Sequence, residues 1–156
     1  MERLVNTHED RKASVTITFQ AVKREDVVKY GIALPDPDQI EDSQFRLRGL
    51  VEKPSVEEAP SNLAISARYI FSPEIFDAIR ETPQTNGEYQ ITDSIRLLME
   101  HGEVWGLRLG PGEKRFDVGG FESYFKVFLT FALEDEEVGD AFRQYAMELV
   151  NSPIKV

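Results

Sequence analysis

The sequence predicts an α/β fold. Segments rich in β-branched and apolar residues alternate along the chain with segments of helical periodicity, which gives about six strands and five helices that are interleaved. The chain has 156 residues, the length of one ordinary domain. Its 41% hydrophobic and 29% charged residues are typical of a folded chain that buries a sizeable core.

The first half of the chain contains most of the predicted strands. Residues 1–12 are read as the end of a helix, because Leu4 and Val5 lie among charged residues. A short helical turn after the first strand is closed by Gly31, and residues 35–44 form a proline-rich, acidic loop. The strands are placed by β-branched composition or by a period of two, at residues 13–22, 30–34, 45–53 and 62–71.

The second half begins with two predicted helices. Ser72 caps the first, which has Pro73 at its first position and runs to about Arg80. Thr92 or Asp93 caps the next, whose apolar stripe contains Ile95, Leu98 and Met99. Two short strands are expected at residues 104–109 and 115–120.

Two further helices are expected near the C-terminus. The segment 121–133 has apolar groups nearly all round, so we expect it to be deeply buried. The last helix is expected at residues 138–149 and to pack through Phe142, Tyr145 and Leu149. We divide the chain into residues 1–133 and a C-terminal helical extension, residues 134–156.

The composition excludes several classes of function. The net charge is −10, and the resulting field repels phosphates, which argues against nonspecific binding to nucleic acid or to an anionic membrane. The chain has no cysteine, so disulfides, thiolate catalysis and Cys-type zinc sites are excluded. No apolar run approaches ~18 residues, and the polar N-terminus is unlike a signal peptide. We therefore expect a cytoplasmic protein.

The motif VEKP at residues 51–54 has two interpretations. A strand with alternating apolar residues ends on Glu52 and Lys53, and Pro54 stops it. The two charges either form a surface ion pair at a solvent-exposed strand end, or they are delivered to a pocket. In a pocket, Glu52 accepts hydrogen bonds from hydroxyl groups and Lys53 provides a point charge for a phosphate.

The motif RFDVGG at residues 115–120 is equally ambiguous. A short strand ends on Asp117, and two glycines follow. Asp117 either holds Mg²⁺ through a carboxylate oxygen or caps the helix at 121–133. The segment GPGEK at 110–114 is interpreted as a simple turn, because it lacks the spacing of a phosphate-binding loop.

Several motifs in order resemble one family. KYGIA, VEKP, APSNLAISARYIFSPEIF, NGEYQITDSI and RFDVGGFESYFKVFLTFAL follow one another with family-like gaps. Together they closely resemble the C-terminal half of bacterial UTP–glucose-1-phosphate uridylyltransferases, members of the sugar-phosphate nucleotidyltransferases. The resemblance covers roughly residues 10–133. It implies a partial Rossmann-like nucleotidyltransferase fold, a mixed sheet with flanking helices, that lacks the N-terminal nucleotide-binding half.

The resemblance also implies roles for individual residues. The family joins UTP and glucose 1-phosphate, with Mg²⁺ as Lewis acid, and releases pyrophosphate. Tyr30 and Gly31 would line the sugar pocket, Glu52 would accept sugar hydroxyls and Lys53 would bind the sugar phosphate. The resemblance further assigns catalytic roles to Lys53 and Asp117, the metal to Asp117, and the pocket wall to Asn62 and the loop 88–93.

The sequence also departs from the family pattern. Ala67 stands where the family usually has glycine, so that its methyl group crowds the sugar, and Gly120 stands where Asn or Thr is usual. The family's GxGTRxxPxTK loop, which grips the triphosphate, is absent. We therefore expect binding of glucose 1-phosphate or a related sugar phosphate, binding of UTP only with the missing half, and no activity alone.

The missing half has a second consequence. Its removal would expose the edge and one side of the sheet, so we expect a homo-oligomer that involves the C-terminal helices. The alternative to an enzyme half is a noncatalytic sugar-phosphate-binding or oligomerisation module of the same fold.

Overall fold

A computed structural model describes residues 1–84, 87–116 and 118–152. The chain divides into two compact units, Met1–Lys114 and Arg115–Val156. The division at residue 133 that the sequence suggested stays a prediction. Within the described ranges, no helix is both long and apolar enough to cross a membrane.

The first unit contains five strands, three α-helices and one 3-10 helix in its described residues. In chain order they are α1 (Glu2–Arg11), β1 (Val15–Ala21), the 3-10 helix (Arg24–Lys29), β2 (Gly31–Glu41), β3 (Gln44–Glu52), β4 (Leu63–Phe71), α2 (Ile75–Glu81), α3 (Ile91–Met99) and β5 (Val104–Arg108). The predicted α/β class is confirmed, and the strands predicted at 13–22, 45–53, 62–71 and 104–109 all form.

The five strands form one mixed sheet in the order β1-β4-β2-β3-β5, which closes on itself because β5 also pairs with β1. The β1–β5 pair is parallel, whereas β1–β4, β2–β3 and β3–β5 are antiparallel. One residue pair, Ile32 with Ala64, joins β2 to β4. Beyond Ile32, β2 therefore pairs on one side only among the described strands.

The main core cluster of the first unit joins strand residues to Ile75 of α2 and Ile95 of α3. Ile17, Phe19 and Phe45 are completely buried there, and the rings of Phe19 and Phe45 lie 5.3 Å apart. Gly106, which pairs with Phe45 across β3 and β5, has no side chain because a Cβ atom would overlap the Phe45 ring. The glycine in the sequence VWGLR thus makes room for a core aromatic residue.

The prediction of a loop at residues 35–44 is wrong. β2 continues to Glu41, and only Asp42 and Ser43 form the turn to β3. Proline is tolerated on a strand edge that needs no donor, and the far part of β2 offers such an edge. The acidic side chains are balanced across the pair, because Arg48 on β3 lies 2.8 Å from Asp36 Oδ1.

Both predicted helix starts are also displaced. α2 begins at Ile75, after a turn at Pro73 and Glu74, so Ser72 is not its N-cap. α3 begins at Ile91 with Gln90 as N-cap, and neither helix has a side-chain hydrogen bond at its cap. Thr92 and Asp93 therefore lie inside the first turn of α3 and are available for other contacts.

The second unit contains two helices in its described residues, α4 (Phe121–Glu134) and α5 (Gly139–Asn151). The described part of 115–120 contains no strand, contrary to expectation. The predicted deep burial of α4 is wrong: none of its residues is buried, and Phe121 is 86% exposed. In α5, Phe142 is half-buried but Tyr145 and Leu149 are exposed, so the expected packing is only partly present.

Candidate functional site

Four of the predicted site residues meet where β2 begins and β3 ends. Gly31 pairs directly with Glu52 in the antiparallel register of these strands. The backbone N–H of Lys53 donates to the Tyr30 carbonyl oxygen at 3.0 Å, which extends the pairing by one step. Tyr30 packs against a small apolar cluster that includes Ile32. The period of two in β3 thus places an acid and a base beside the start of β2.

The Glu52 carboxylate lies over the backbone of Gly31. A Cβ atom at Gly31 would lie 3.0 Å from Glu52 Oε2 and 2.7 Å from Ile65 Cδ1, and 3.5 Å from Thr92 Cγ2. A side chain at position 31 would therefore displace the carboxylate or the Ile65 methyl group. The glycine of KYGIA keeps open the space in which the carboxylate sits.

Lys53 leaves the strand in an unusual conformation. Its φ is 45°, in the left-handed region that non-glycine residues rarely adopt. Its side chain is exposed, and no Asp or Glu oxygen in the described part of the chain forms an ion pair with it. The surface ion pair between Glu52 and Lys53, which was the simpler interpretation of VEKP, is not formed. Strained backbone of this kind is concentrated at functional sites.

Thr92 brings a buried hydroxyl group to the same place. The residue is 3% exposed, and within the described ranges its Oγ1 has no hydrogen-bond partner. A buried hydroxyl without a partner costs about 1–3 kcal/mol. The Thr92 atom that faces Gly31 is the methyl carbon Cγ2, while Oγ1 has almost no exposed surface.

Arg96 holds α3 against β3. Its Nε and Nη2 donate to the Leu50 carbonyl oxygen at 3.1 and 2.7 Å, and its Nη1 donates to Asp93 Oδ1 at 2.7 Å. Leu50 is two residues before Glu52, so these bonds fix the distance between the strand end and the first turn of α3. The sequence analysis missed this residue. Its spacing from Asp93 indicates an ion pair, but no local pattern indicates the bond to Leu50.

Glu52, Lys53, Thr92 and Arg96 line one cavity of about 670 Å³, within the size range of ligand sites, whereas Tyr30 and Gly31 lie beside it and are not among its lining residues. Its lining residues are Val51, Glu52, Lys53, Glu88, Gln90, Thr92, Asp93 and Arg96. The prediction that the loop 88–93 forms a wall beside Glu52 and Lys53 agrees with this geometry. Among the described lining residues, Arg96 is paired with Asp93, which leaves Lys53 as the cation available to an anion.

Other predicted residues lie elsewhere. Asn62 is absent from the cavity lining, and its Nδ2 donates to the Val22 carbonyl oxygen at 3.2 Å, at the end of β1. Ala67 also lies outside the lining and is exposed, with φ 52° at an irregularity between β1 and β4. The left-handed backbone favours glycine at this position, and crowding of a sugar by the Ala67 methyl group stays a prediction. Asp117 lies outside the described residues.

The described residues do not form a metal site of the expected kind. Within residues 1–84, 87–116 and 118–152, no group of three or more His, Cys, Asp or Glu side chains is placed to hold a metal ion. The expected ligand, Asp117, is not among them. Mg²⁺ therefore stays a prediction from the family resemblance, and no step proposed below depends on it.

Comparison with known proteins gives consistent matches. The nucleotidyl transferase family model matches residues 1–134. A relative in Methanocaldococcus jannaschii is 39% identical over 150 residues, which cover 96% of this chain and 50% of the relative. A UTP–glucose-1-phosphate uridylyltransferase of Haemophilus ducreyi is 38% identical over 138 residues, 87% of this chain and 46% of that enzyme.

Solved structures agree with these relatives. The chain superposes on the UTP-bound UGPase from Acinetobacter baumannii with a TM-score of 0.82 and 32% identity, over 94% of this chain and 49% of that one. The chain thus spans about half the length of the relatives it matches. A family match over residues 1–134, a mixed α/β sheet and close relatives of one kind lead to one conclusion: the chain belongs to the nucleotidyl transferase family.

Proposed function

We propose that this chain provides the sugar-phosphate-binding part of a UTP–glucose-1-phosphate uridylyltransferase. The observation that carries the proposal is the cavity itself. It places the Glu52 carboxylate at one strand end together with the Lys53 ammonium group, which has no carboxylate partner among the described residues. A sugar 1-phosphate presents hydroxyl groups and an anion together, and each of these groups has a counterpart in the lining.

Glu52 would bind the sugar. The carboxylate accepts hydrogen bonds from hydroxyl groups, and charge-assisted bonds of this type are among the stronger ones in proteins. Gly31 allows the sugar and the Glu52 carboxylate to approach the backbone closely.

Lys53 would bind the phosphate. The chain carries a net charge of −10, so a phosphate needs a dedicated cation to overcome the general repulsion. The left-handed backbone of Lys53 turns its side chain out of the regular strand direction. The ammonium group neutralises the anion from which an oxygen would attack the α-phosphorus of UTP, as pyrophosphate leaves.

The complete reaction also needs a group of residues that binds the triphosphate of UTP. The triphosphate loop of the family is absent from the 156 residues. We therefore expect no pyrophosphate release when the chain alone is supplied with UTP, glucose 1-phosphate and Mg²⁺. Turnover at an ordinary enzymatic rate in this assay would show that the proposal overlooks a triphosphate site.

NMR titration with glucose 1-phosphate tests the binding proposal. The wild-type chain is expected to bind at about the millimolar scale, with shifts at Gly31, Glu52 and Thr92. Lys53→Ala removes a charge-assisted bond of about 1.5–3 kcal/mol, so its affinity should fall by about tenfold to a hundredfold.

Lys12→Ala is the matched control for this titration. Lys12 is also exposed and also has a left-handed φ, 49°, but it follows α1 and does not line the cavity. The control removes the same charge from the same backbone conformation and should bind like wild type. Equal binding by wild type and Lys53→Ala would reject the proposed phosphate site.

A further inference from the structure

A second cavity lies at the end of β5, where the chain leaves the sheet. Its volume is about 550 Å³, which is within the size range of ligand sites. Its lining includes Arg3 of α1, Asp42 and Ser43 of the turn between β2 and β3, Arg108 of β5, and Glu113 in the segment that follows β5. None of its lining residues belongs to the lining of the proposed sugar site.

The length of β3 separates the second cavity from the proposed sugar site. Ser43 immediately precedes β3 and lines the second cavity, whereas Glu52 ends β3 and lines the first. A strand of nine residues, at about 3.3 Å per residue, is roughly 25 Å long. The two cavities therefore lie at opposite ends of one strand and cannot share one small ligand.

The backbone holds Arg108 in place at the second cavity. Its N–H group donates to the Ser43 carbonyl oxygen at 2.7 Å, and its own carbonyl oxygen accepts a bond from Arg3 Nη2 at 3.4 Å. The guanidinium packs over the Phe45 ring, with its Cζ 5.6 Å from the ring centre. Packing on an aromatic face uses the flat side of the guanidinium, so its in-plane N–H groups stay available to another partner.

The side chain of Arg108 has no acceptor among the described residues. It forms neither a hydrogen bond nor an ion pair with any of them, and its Nε is covered as well as unpartnered. Nη1 and Nη2 are not covered in this way, so a ligand can reach them. The other arginine of the cavity is engaged, since Arg3 donates to Glu113 at 2.6 Å and to Ser43 Oγ at 2.9 Å. A chain of net charge −10 thus keeps one half-buried guanidinium away from its described carboxylates.

We propose that the second cavity binds an oxyanion, the carboxylate or phosphate group of a small molecule, through Arg108. The N–H groups of a guanidinium form a planar fork that matches two oxygens of either group. Arginine also keeps its charge at any ordinary pH, so the site needs no protonation step. The volume leaves room for more than the oxyanion, and Leu109 and Pro111 in the lining offer apolar contact to the rest of the molecule.

Two carboxylates in the lining oppose an anion to different degrees. Glu113 is balanced by Arg3 and also accepts a bond from the Gly110 N–H group. Asp42 is exposed and has no ion-pair partner in the described part of the chain, so its charge repels a bound anion. The proposal therefore predicts effects of opposite sign. Loss of the Arg108 charge should weaken anion binding, and loss of the Asp42 charge should strengthen it.

NMR titration of the whole chain with inorganic phosphate, and separately with acetate, tests the proposal at constant ionic strength. The amide signals of Leu109 and Gly110 should shift and saturate on about the millimolar scale. Arg108→Gln should lower the affinity by at least about tenfold, as expected for a charge-assisted hydrogen bond. Tighter binding of phosphate than of acetate assigns the site to a phosphate ester, and the reverse order assigns it to a carboxylate.

Asp42→Asn is the variant with the opposite expected sign. It should raise the affinity by about two- to threefold, the effect of removing a like charge several ångströms away in water. The fold should not change, because Asp42 has a φ of 47° and asparagine is one of the residues that tolerate this left-handed conformation. Circular dichroism of each variant checks that it is folded.

Arg68→Gln is the matched control. Arg68 is an exposed arginine on β4 and lies outside the cavity lining, so this variant loses the same charge from the same sheet. It should bind phosphate like wild type. Lys53→Ala should also leave the phosphate-induced shifts of Leu109 and Gly110 unchanged, because Lys53 lines the other cavity.

Three outcomes would overturn the proposal. Unchanged Leu109 and Gly110 signals at concentrations of both anions well above the millimolar scale would show that the cavity holds no oxyanion. Equal affinity of wild type and Arg108→Gln would place the anion elsewhere. Unchanged or weaker binding by Asp42→Asn would show that the charges of the cavity do not control binding, and this comparison decides even if Arg108→Gln does not fold. None of these outcomes bears on Lys53, so the two proposals fail separately.

Discussion

The cavity between β3 and α3 and the exposed apolar side of α4, which includes Phe121, Phe125 and Phe128, expose groups of opposite character. At the cavity, long-range bonds hold polar groups in place: Lys53 to Tyr30 and Arg96 to Leu50. On α4, large apolar groups project from one helix, and none of its residues is buried. The comparison indicates that the cavity is built for a small polar ligand, whereas the helix face is built to be covered.

The two regions should respond differently to mutation. At the cavity, a change at Gly31 or Arg96 displaces neighbours, since both residues contact other elements. On the helix face even the loss of a phenyl ring should leave the fold intact, because the ring has few neighbours to lose. The predictions that follow use this difference, starting with the largest expected effect.

Gly31→Ala should damage both the cavity and the fold. The new methyl group would meet Ile65 Cδ1 and Glu52 Oε2, and such overpacking costs about 1–3 kcal/mol. Thermal denaturation should show this loss, and NMR titration should show weakened glucose 1-phosphate binding. Gly49→Ala is the control, because a Cβ atom there meets only the Leu34 side chain, at 3.5 Å and beyond. If both variants have the same melting temperature and the same affinity for glucose 1-phosphate, the space above Gly31 is not required for stability or binding.

Arg96→Ala should have an intermediate effect. It leaves the Leu50 carbonyl oxygen without these donors and frees Asp93, and Leu50 is only 2% exposed. An unsatisfied buried carbonyl costs about 1–3 kcal/mol, and the partial exposure of Arg96 favours the lower end. Arg96→Lys should not restore stability fully, since an ammonium group cannot reproduce the planar fork. Urea denaturation of wild type, Arg96→Ala and Arg96→Lys measures the differences in unfolding free energy. Full recovery of stability in Arg96→Lys would show that the positive charge alone accounts for the contact.

The sequence correctly predicted those features of the fold that depend on a local residue pattern. The period of two in residues 45–53 located β3 and directed Glu52 and Lys53 to one strand end, since alternation depends on neighbouring residues alone. The bond from Arg96 to Leu50 joins residues 46 positions apart, and no periodicity reports such a contact. Thr92 was interpreted as a cap from its residue type, although Gln90 begins the helix and Thr92 Oγ1 lies buried without a described partner.

Two errors have a common cause in composition. Prolines and acids at 35–44 are typical of loops, but a strand edge that needs no donors accepts them as well. The apolar character of 121–133 predicted deep burial. Hydrophobic composition indicates that a helix is more stable when its apolar side is covered, but it does not indicate which element covers it. Both cases need tertiary information: the pairing of β2 on one side, and the small number of elements around α4.

Ala67→Gly should give a small gain in stability. Ala67 has φ 52°, and this conformation costs an alanine roughly 1 kcal/mol that glycine avoids. Ala67 is exposed and outside the cavity lining, so glucose 1-phosphate binding should not change. Lys53→Gly relieves similar strain but should lose binding. A gain in binding by Ala67→Gly would instead support the crowding explanation for this position.

The smallest effect should occur in the second unit, as a function of pH. The Asp135 side chain accepts bonds from the backbone N–H groups of Val138 and Glu137, at 3.0 and 2.9 Å, in the turn that leads into α5. These bonds lower the pKa of Asp135 from its ordinary value of 3.8. A lowered pKa in the folded state means that the stabilisation is present above pH 3.8 and is lost as the pH falls through the folded-state pKa.

Helix content measured by circular dichroism from pH 6 down to about pH 2, below the ordinary carboxyl pKa, should therefore show slight fraying of α5 at the acid end. Asp135→Asn keeps an oxygen that can accept the same two bonds, but the amide cannot titrate. The part of the acid-induced loss of helix content that residue 135 causes should therefore vanish in this variant. Asp135→Ala should show the frayed state at every pH. Identical acid profiles for wild type and Asp135→Asn would show that other carboxylates control the acid response of this unit.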